Sequence, residues 1–315
     1  MQTFLAVFLF FLGIFFTVFG GDSFVLAASR ISEILRIPKF IVGATIVAVA
    51  TTLPELLVSL FAAADGKTAL AVGNAIGSVS ANTGLILAFS IIFMPCTLER
   101  EKLGFKFFLL VLSVSMLLLF SRSGFFILPG VCLLLCFFAA FIFENLRAAV
   151  TRSDEVFSGG EGIVFSLVRL CIGAAAIVFG AELLIDKASY LGIKFGIDEA
   201  VISTLVLAIG TSLPELITTL CAIRRRESSL SVGNIIGANI IDLTLILPAC
   251  SLLSGKPLAV PRQALVLSMP ACLILICIAV FPTVLRGKFT RGQGIFLFLS
   301  YITYIILTAL AAESL

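Results

Sequence analysis

The chain of 315 residues contains no histidine and no tryptophan, and few of its residues are charged. Without histidine there is no imidazole metal ligand and no histidine proton relay, and a Ser/His catalytic pair is excluded. Charged residues make up 12% of the chain, against about 25% in soluble globular proteins. The formal net charge of +3 is too small to predict a nucleic-acid partner. Together these absences argue against a soluble enzyme.

Long apolar segments dominate what is present. Hydrophobic residues account for 60% of the chain, and they form ten stretches of about 20 residues, the length that a bilayer requires. The sequence therefore predicts an all-α polytopic membrane protein. The eight cysteines are scattered through apolar segments and predict packed thiols rather than a metal or redox site; no cofactor is expected. The predicted spans are residues 3–28, 38–64, 69–93, 104–120, 124–147, 162–186, 196–222, 229–253, 262–284 and 292–312.

Lys and Arg are distributed unevenly over the loops between these spans. Fourteen of the 21 fall in loops on one side of the membrane and six on the other. The positive-inside rule then predicts a multi-pass protein of the plasma or inner membrane with both termini outside. A short polar stretch, residues 147–161, becomes a cytoplasmic linker between a first half, residues 1–146, and a second half, residues 162–315.

The two halves repeat one design at an offset of 160 residues. The offset aligns "TTLPE" (51–55) with "TSLPE" (211–215), and it continues without a gap through the glycines and asparagines that follow. Each half has five spans, an odd number, so the second copy must enter the membrane from the opposite side. The sequence thus predicts two inverted five-helix repeats, whose equivalent segments meet as broken helices near the membrane midplane, the architecture of secondary transporters.

In each repeat a proline and a glutamate interrupt an apolar segment. Pro54 and Pro214 have no backbone N–H, so the carbonyls four residues back, at Ala50 and Gly210, are expected to be free. Threonine and serine hydroxyl groups lie beside these carbonyls in the sequence, and each repeat adds one glutamate carboxylate. Such oxygens together predict a hard-cation site, since Ca²⁺ takes 6–8 oxygen ligands. The side chains in this set are Thr51, Thr52, Glu55, Thr211, Ser212 and Glu215.

A second segment of each repeat completes the predicted ligand shell. "AVGNAIGSVSANTG" (71–84) carries Ser78 and Asn82, and "SVGNIIGANIIDLT" (231–244) carries Asn239 and Asp242. The three acids, Asp242 and the two glutamates, sum to −3. Three monovalent ions would neutralise this charge, whereas one Ca²⁺ would leave a single carboxylate to hold a proton. Competition of two kinds of ion for shared ligands would couple their fluxes. Asn74 and Asn234 are expected to bridge the broken helices rather than to bind ions.

These paired segments resemble the two α-repeats of the sodium/calcium exchanger family, within the cation/Ca²⁺ antiporter superfamily, and the resemblance covers the whole chain. It implies that Glu55 and Glu215 are the central Ca²⁺ ligands, helped by backbone oxygens at Thr51 and Thr211. It also implies alternating access, in which spans 1 and 6 slide against the rest. Asn82 and Asp242 would lie in the same layer. Flanking Na⁺ sites would draw on Ala48, Thr52, Ser78, Ala208 and Ser212.

One departure from the family pattern bears on function. Where the first repeat has Ser78, the second has Ala238, so one flanking hydroxyl is missing. A Ca²⁺/Na⁺ antiporter is the first hypothesis, with Ca²⁺ and Na⁺ as substrates and the lipid bilayer as surroundings. A Ca²⁺/H⁺ antiporter that uses the same carboxylates is the alternative. A channel is disfavoured by the inverted repeats, an intramembrane hydrolase by the absence of a catalytic dyad, and a structural scaffold by the paired acids.

Overall fold

The computed structural model describes residues 2–97, 100–150, 162–195 and 210–313, and these ranges are almost entirely helical. The first half contains eight α-helices. Short π-helical turns, Gly43–Val47 and Asn82–Leu87, join α2 to α3 and α5 to α6. The helices are α1 (Gln2–Leu35), α2 (Lys39–Val42), α3 (Ala48–Thr51), α4 (Leu53–Ala64), α5 (Thr68–Ala81), α6 (Ala88–Phe93), α7 (Arg100–Phe120) and α8 (Leu128–Val150).

The second half contains six described α-helices. A π-helical turn at Asp242–Ile246 joins α11 to α12, and another at Ala264–Ser268 precedes α13. The strands β1 (Phe125–Phe126) and β2 (Leu258–Ala259) form a small antiparallel ribbon between the two halves. The helices are α9 (Ile163–Lys194), α10 (Leu213–Arg225), α11 (Ser228–Ile241), α12 (Leu247–Ser254), α13 (Met269–Arg286) and α14 (Arg291–Glu313).

The prediction of an all-helical membrane protein is confirmed. Among the described residues, seven helices are long and apolar enough to cross a membrane, and the bent pair Lys39–Thr51 and Leu53–Ala64 adds an eighth. Helix α7 contributes a shorter apolar segment, Gly104–Phe120. The predicted seventh span, 196–222, is described only from residue 210 onward, and most of the predicted linker, 151–161, also lies outside the described residues. Ten spans therefore stay a prediction.

Burial separates the helices into a centre and a periphery. In the most apolar 18 residues of Thr68–Phe93 and of Ser228–Ser254, 72% and 78% of the residues are buried, whereas only 28% are buried in the corresponding parts of α1 and α9. The side chains that α1 and α9 expose are large and apolar, such as Phe4 and Val164. In a bilayer these faces meet lipid, so they need no protein cover. The two central segments are the ones that carry the predicted ion ligands.

Glycine allows α1 and α9 to approach each other closely as an antiparallel pair. A Cβ at Gly13 would meet the carbonyl of Gly180 at 3.0 Å, and a Cβ at Gly20 would meet the carbonyl of Gly173 at 3.0 Å. Small residues at such crossings let helix backbones touch in membranes. The two contacts exchange under the offset of 160, because Gly13 corresponds to Gly173 and Gly20 to Gly180.

The broken second span packs just as closely against α11. A Cβ at Gly233 would lie 2.3 Å from the carbonyl of Phe40, and one at Gly237 would lie 2.3 Å from the carbonyl of Ala44. Only glycine fits there. For the offset-related glycines, Gly73 and Gly77, a Cβ would meet no described atom within 4 Å.

Polar contacts hold one end of α1 to the junction of α10 and α11. Arg225 donates two hydrogen bonds to Asp22, at 2.7 and 2.5 Å. Ser29 and Lys39 both donate to Glu227, at 2.9 and 2.6 Å. Across the other interface of α1, Arg169 of α9 donates to the Ser23 hydroxyl at 3.1 Å.

Candidate cation site

Two glutamates lie in the first turns of α4 and α10, each directly after a proline. Thr52, with φ −85° and ψ 0°, breaks the first of these spans, and the helix axis bends there by 46°. Both Glu55 and Glu215 are completely buried, and their carboxyl groups are near enough to interact directly. The positive end of a helix dipole favours an anion in its first turn. The first turns of two helices, one from each half, therefore bring their carboxyl groups next to each other.

The carboxylates have no compensating partner within the described part of the chain. None of the oxygens of Glu55, Glu215 or the fully buried Asp242 accepts a hydrogen bond there. The charges that act on Glu55 are those of Glu215 and Asp242, which have the same sign. Burying unpaired charges costs several kcal/mol each. Such a cluster is accommodated by a bound cation or by protonation of the carboxyl groups.

Neutral oxygens must complete any coordination shell. In the described ranges, no three Asp, Glu or Cys side chains are close enough to hold a metal ion by themselves. Hydroxyl, amide and carbonyl oxygens of the same segments are available, and hard cations such as Ca²⁺ and Na⁺ accept such mixed oxygen shells. The Thr51 hydroxyl lies beside the Glu215 carboxyl group, so the two halves contribute to one site.

Two hydrogen bonds between the halves are reciprocal under the offset. Thr51 donates to the side-chain oxygen of Asn234 at 3.1 Å, and Thr211 donates to that of Asn74 at 3.3 Å. Asn74 donates in turn to Ser59 at 2.9 Å. The asparagines thus bridge the broken helices, as the sequence suggested.

Asn82 and Asp242 each begin a π-helical turn at equivalent positions of the two repeats. Both side chains are completely buried, and neither the amide of Asn82 nor the carboxylate of Asp242 has a hydrogen-bond partner among the described residues. π-helical turns within α-helices are frequently found at functional sites. Each central segment therefore carries, at its π-helical turn, one buried polar side chain without a hydrogen-bond partner among the described residues.

The predicted flanking ligands differ in how far their oxygens are already engaged. The Ala48 carbonyl accepts from the Thr52 hydroxyl at 2.7 Å and from the Thr51 hydroxyl at 3.3 Å. The buried Ser212 hydroxyl has no partner within the described ranges, whereas the Ser78 and Thr211 hydroxyls are 3.4 Å apart. Ala208, the remaining predicted ligand, lies outside the described residues.

The expectation of two free carbonyls before the prolines is wrong at one of them. The Gly210 carbonyl accepts a hydrogen bond from the Leu213 N–H at 3.4 Å. The chain tightens there into a shorter turn, so the donor three residues on replaces the one that Pro214 lacks. At Ala50 the proline at position 54 removes the regular helical donor, as expected.

The sequence interpretation missed several polar groups of the interior. Thr83, which was not among the predicted ligands, accepts a hydrogen bond from the Asn239 amide at 2.9 Å, and this bond joins the two central helices. Ser59 was not expected to hold Asn74. The buried Thr218 hydroxyl, one turn after Glu215, has no partner in the described residues. The only available signal was spacing, because Thr218 lies three residues after Glu215 on the same helical face.

Comparisons with known proteins agree over nearly the whole chain. A family profile described as "Sodium/calcium exchanger protein" matches residues 5–144 and 165–310. An "Uncharacterized membrane protein" of Methanocaldococcus jannaschii is 33% identical, over 93% of this chain and 94% of the relative. "Sodium/calcium exchanger MaX1" of Methanosarcina acetivorans is 27% identical over 94% and 96% of the two chains. A solved structure of the sodium-calcium exchanger NCX_Mj, soaked with Na⁺ and Sr²⁺, is 32% identical, covers 96% of this chain and 99% of its own, and superimposes with a TM-score of 0.84.

Proposed function

Because the chain belongs to the sodium/calcium exchanger family, we propose that it is a secondary active antiporter that exchanges Ca²⁺ for Na⁺ by alternating access. One observation carries the proposal. Glu55 and Glu215 are completely buried, interact from the first turns of two helices, and have no hydrogen-bond partner in the described residues. A pair of this kind is stable only with a cation or protons between the carboxylates.

We assign Ca²⁺ to the space between these two carboxylates. The Thr51 and Thr211 backbone oxygens, at the breaks, would add neutral ligands, and Asn82 and Asp242 would lie in the same layer. The opposing first turns of α4 and α10 support this assignment, since both carboxylates then serve one ion. Na⁺ would occupy flanking positions that draw on Ala48, Thr52, Ser78, Ala208 and Ser212 and share the two glutamate carboxylates with Ca²⁺.

We further infer ten spans in two inverted repeats, residues 1–146 and 162–315, joined by a cytoplasmic linker and with both termini outside. Reciprocal contacts support the symmetry. Gly13 meets Gly180 as Gly20 meets Gly173, and the Thr51–Asn234 bond has its counterpart in Thr211–Asn74. Contacts that exchange in this way are expected of elements related by a two-fold axis.

The coupling between Ca²⁺ and Na⁺ transport would follow from the ligands that the two ions share. Ca²⁺ and Na⁺ would both need Glu55 and Glu215, so one kind of ion must leave before the other binds. The α1 and α9 pair is the element that we expect to slide. Large faces of both helices are exposed to lipid or contact each other. Phe24 and Ile31 of α1 also pack in a buried cluster with Ala222 of α10, so sliding would have to rearrange this cluster and the Asp22–Arg225 ion pair.

A Ca²⁺/H⁺ antiporter is the second candidate, and Ala238 is the observation that favours it. In the first repeat Ser78 places a hydroxyl 3.4 Å from that of Thr211. In the second, the equivalent residue is the fully buried Ala238, which has none. A weakened flanking Na⁺ site would leave protonation of the same carboxylates as the way to release Ca²⁺.

Uptake of ⁴⁵Ca²⁺ into proteoliposomes distinguishes these functions. Vesicles are loaded with Na⁺, with K⁺, or with K⁺ at an imposed pH gradient. We expect uptake with Na⁺ inside and none with K⁺ alone. Uptake driven only by the pH gradient would replace the first proposal by the second. Absence of uptake under all three gradients would overturn both.

The glutamates are tested in the same assay. We expect Glu55→Gln and Glu215→Gln to lower the rate of Ca²⁺ uptake at least about 100-fold, because loss of a ligand charge in a buried site removes about 3 kcal/mol or more of binding. Glu182→Gln is the matched control, since this acid is exposed on α9 and should tolerate the change. Retained uptake in both site variants, with normal folding, would remove the site assignment.

A further inference from the structure

A groove of about 640 Å³ lies between α13 and α14, away from the cation site. Apolar side chains form most of its surface, including Ile274 and Phe281 from α13 and Phe296 from α14. These three are all more than half exposed. In a bilayer the groove therefore opens to lipid, and an acyl chain is the natural occupant of its apolar part.

A proline and a glutamine shape the floor of the groove. Pro282 within α13 removes the donor for the Ile278 carbonyl. The side-chain amide of Gln293, on α14, donates instead to the Ile278 carbonyl at 3.0 Å and to the Ala279 carbonyl at 2.7 Å. The bond between the helices fixes their spacing at this level. Beside it, Gly292 leaves open space, because a Cβ there would meet no described atom within 4 Å.

One end of the groove is cationic. Arg286 lines it at the last residue of α13, and Thr290 lines it just before α14 begins. Arg286 is exposed and forms no ion pair among the described residues. Lys288 and Arg291 follow closely in the chain, and their side chains are also exposed. The Gln293 N–H at the N-terminus of α14 is already engaged by the Thr290 hydroxyl at 3.4 Å, and the positive end of the helix dipole there adds to the attraction for a phosphate.

From these features we propose that the groove binds one anionic phospholipid, with its phosphate at Arg286 and an acyl chain along the apolar wall. The length of the groove agrees with the thickness of one bilayer leaflet. From Arg286 to Ile274 there are 12 residues, about 18 Å of helix, and half of a bilayer's hydrocarbon core is about 15 Å thick. Charge complementarity selects an anionic headgroup over a zwitterionic one. The proposal does not depend on which ions the protein transports.

The absence of tryptophan makes a direct test possible. A single tryptophan introduced as Phe296→Trp reports only on the groove. Its fluorescence is measured in vesicles that contain a fixed small fraction of brominated lipid, either phosphatidylglycerol or phosphatidylcholine, since bromine on the acyl chain quenches a tryptophan in contact with it. We expect at least twofold stronger quenching by brominated phosphatidylglycerol.

Two further variants make the result specific, and a third repeats the measurement from another position. Adding Arg286→Gln should remove the preference for phosphatidylglycerol while quenching itself persists. Phe143→Trp is the matched control, because Phe143 is exposed on α8, four residues from Arg147, but lies outside the groove; it should show no preference. Phe281→Trp, on the opposite wall, repeats the measurement if the first variant does not fold. The proposal would be overturned if both brominated lipids quenched the tryptophan in the groove equally. It would also be overturned if the preference for phosphatidylglycerol persisted in Arg286→Gln or appeared in Phe143→Trp.

Discussion

A single hydroxyl distinguishes the two halves of the cation site. Ser78 lies 3.4 Å from the Thr211 hydroxyl, and the offset places Ala238 at the equivalent point of the second repeat. Each oxygen missing from a coordination shell must be replaced by water or another ligand, and we place Ser78 in a flanking Na⁺ site rather than in the Ca²⁺ site. The Na⁺ dependence of transport should therefore respond to this one position.

We expect Ala238→Ser to lower the Na⁺ concentration for half-maximal Ca²⁺ uptake by about three- to tenfold, equivalent to about 1 kcal/mol for one added oxygen ligand. Ser78→Ala should shift it in the opposite direction. Both are measured from the Na⁺ dependence of proteoliposome uptake. If neither substitution changes that dependence, the hydroxyls do not contribute to Na⁺ sites.

A second effect at this scale concerns stability rather than transport. Thr83→Val keeps the shape of the side chain but leaves the buried Asn239 amide without its acceptor, now 2.9 Å away. We expect the free energy of unfolding to fall by about 1–3 kcal/mol. Thr303→Val is the control, because Thr303 is exposed and bonds only to its own helix. Equal unfolding curves for the two variants in detergent would contradict the prediction.

At the scale of elements, glycine contacts set the spacing of α1 and α9. A Cβ on Gly20 would lie 2.7 Å from the Cβ of Ala176 and 3.0 Å from the Gly173 carbonyl. Because neither neighbour is flexible, the helices would have to separate.

We expect Gly20→Ala to destabilise the protein by about 1–3 kcal/mol, the usual cost of overpacking, and to slow Ca²⁺ uptake if the pair slides during transport. Gly104→Ala is the control, since a Cβ there meets no described atom within 4 Å. Thermal unfolding and uptake are measured on both variants. Uptake and unfolding like those of the parent protein would show that the contact is loose.

The polar contacts of α1 are asymmetric between the two sides of the molecule. Asp22 pairs with Arg225, but the offset places Glu182 and Asp65, two acids, at the equivalent positions. Because two acids do not form an ion pair with each other, the Asp22–Arg225 ion pair has no equivalent at these positions. It would hold the conformation seen here against the alternative one.

Arg225→Gln should weaken the interaction with Asp22. Because both partners are about one-third exposed, the expected effect is about 1 kcal/mol, or roughly a fivefold rise in amide hydrogen exchange at the end of α1, residues 22–35. Asp65→Asn, at the equivalent position, should leave that exchange unchanged. Exchange equal to that of the parent protein would show that the pair contributes nothing to the position of α1.

For the molecule as a whole, the uncompensated carboxylates link stability to cations. A ligand that binds only the folded protein stabilises it by about 2.7 kcal/mol at a concentration 100 times its Kd. The melting temperature should therefore rise with Ca²⁺, and the rise should disappear in Glu55→Gln and Glu215→Gln. An equal rise in those variants would indicate that Ca²⁺ acts elsewhere.

Buried cysteines provide the readout for this melting experiment in detergent. Cys96, Cys221, Cys250 and Cys272 are buried and not in disulfides, so a thiol-reactive dye labels them only on unfolding. At Cys96, between two helices, burial raises the pKa of the thiol to about 12, although the nearby Ser228 side chain lowers it slightly. The folded protein therefore presents no reactive thiolate there near neutral pH.

Composition and periodicity alone determined the class of the protein and the positions of most helices. Segments without charge for about 20 residues can satisfy their backbone in lipid only as helices, so the predicted spans agree with the described helices to within a few residues in most cases. The offset of 160 also singled out Glu55 and Glu215, because a repeated proline and acid in apolar sequence has few structural explanations. The family resemblance that rested on these residues is confirmed.

Only the tertiary structure decided which polar groups meet. Thr51 and Asn234 are 183 residues apart, and Asn239 and Thr83 are 156 apart. A helical pattern tells which face of a helix is buried but not which side chain of another helix it meets. The same limit explains the error at Gly210, whose carbonyl found a donor through a local tightening that proline alone does not predict. Pairing across a fold depends on the geometry of both partners, which no local segment contains.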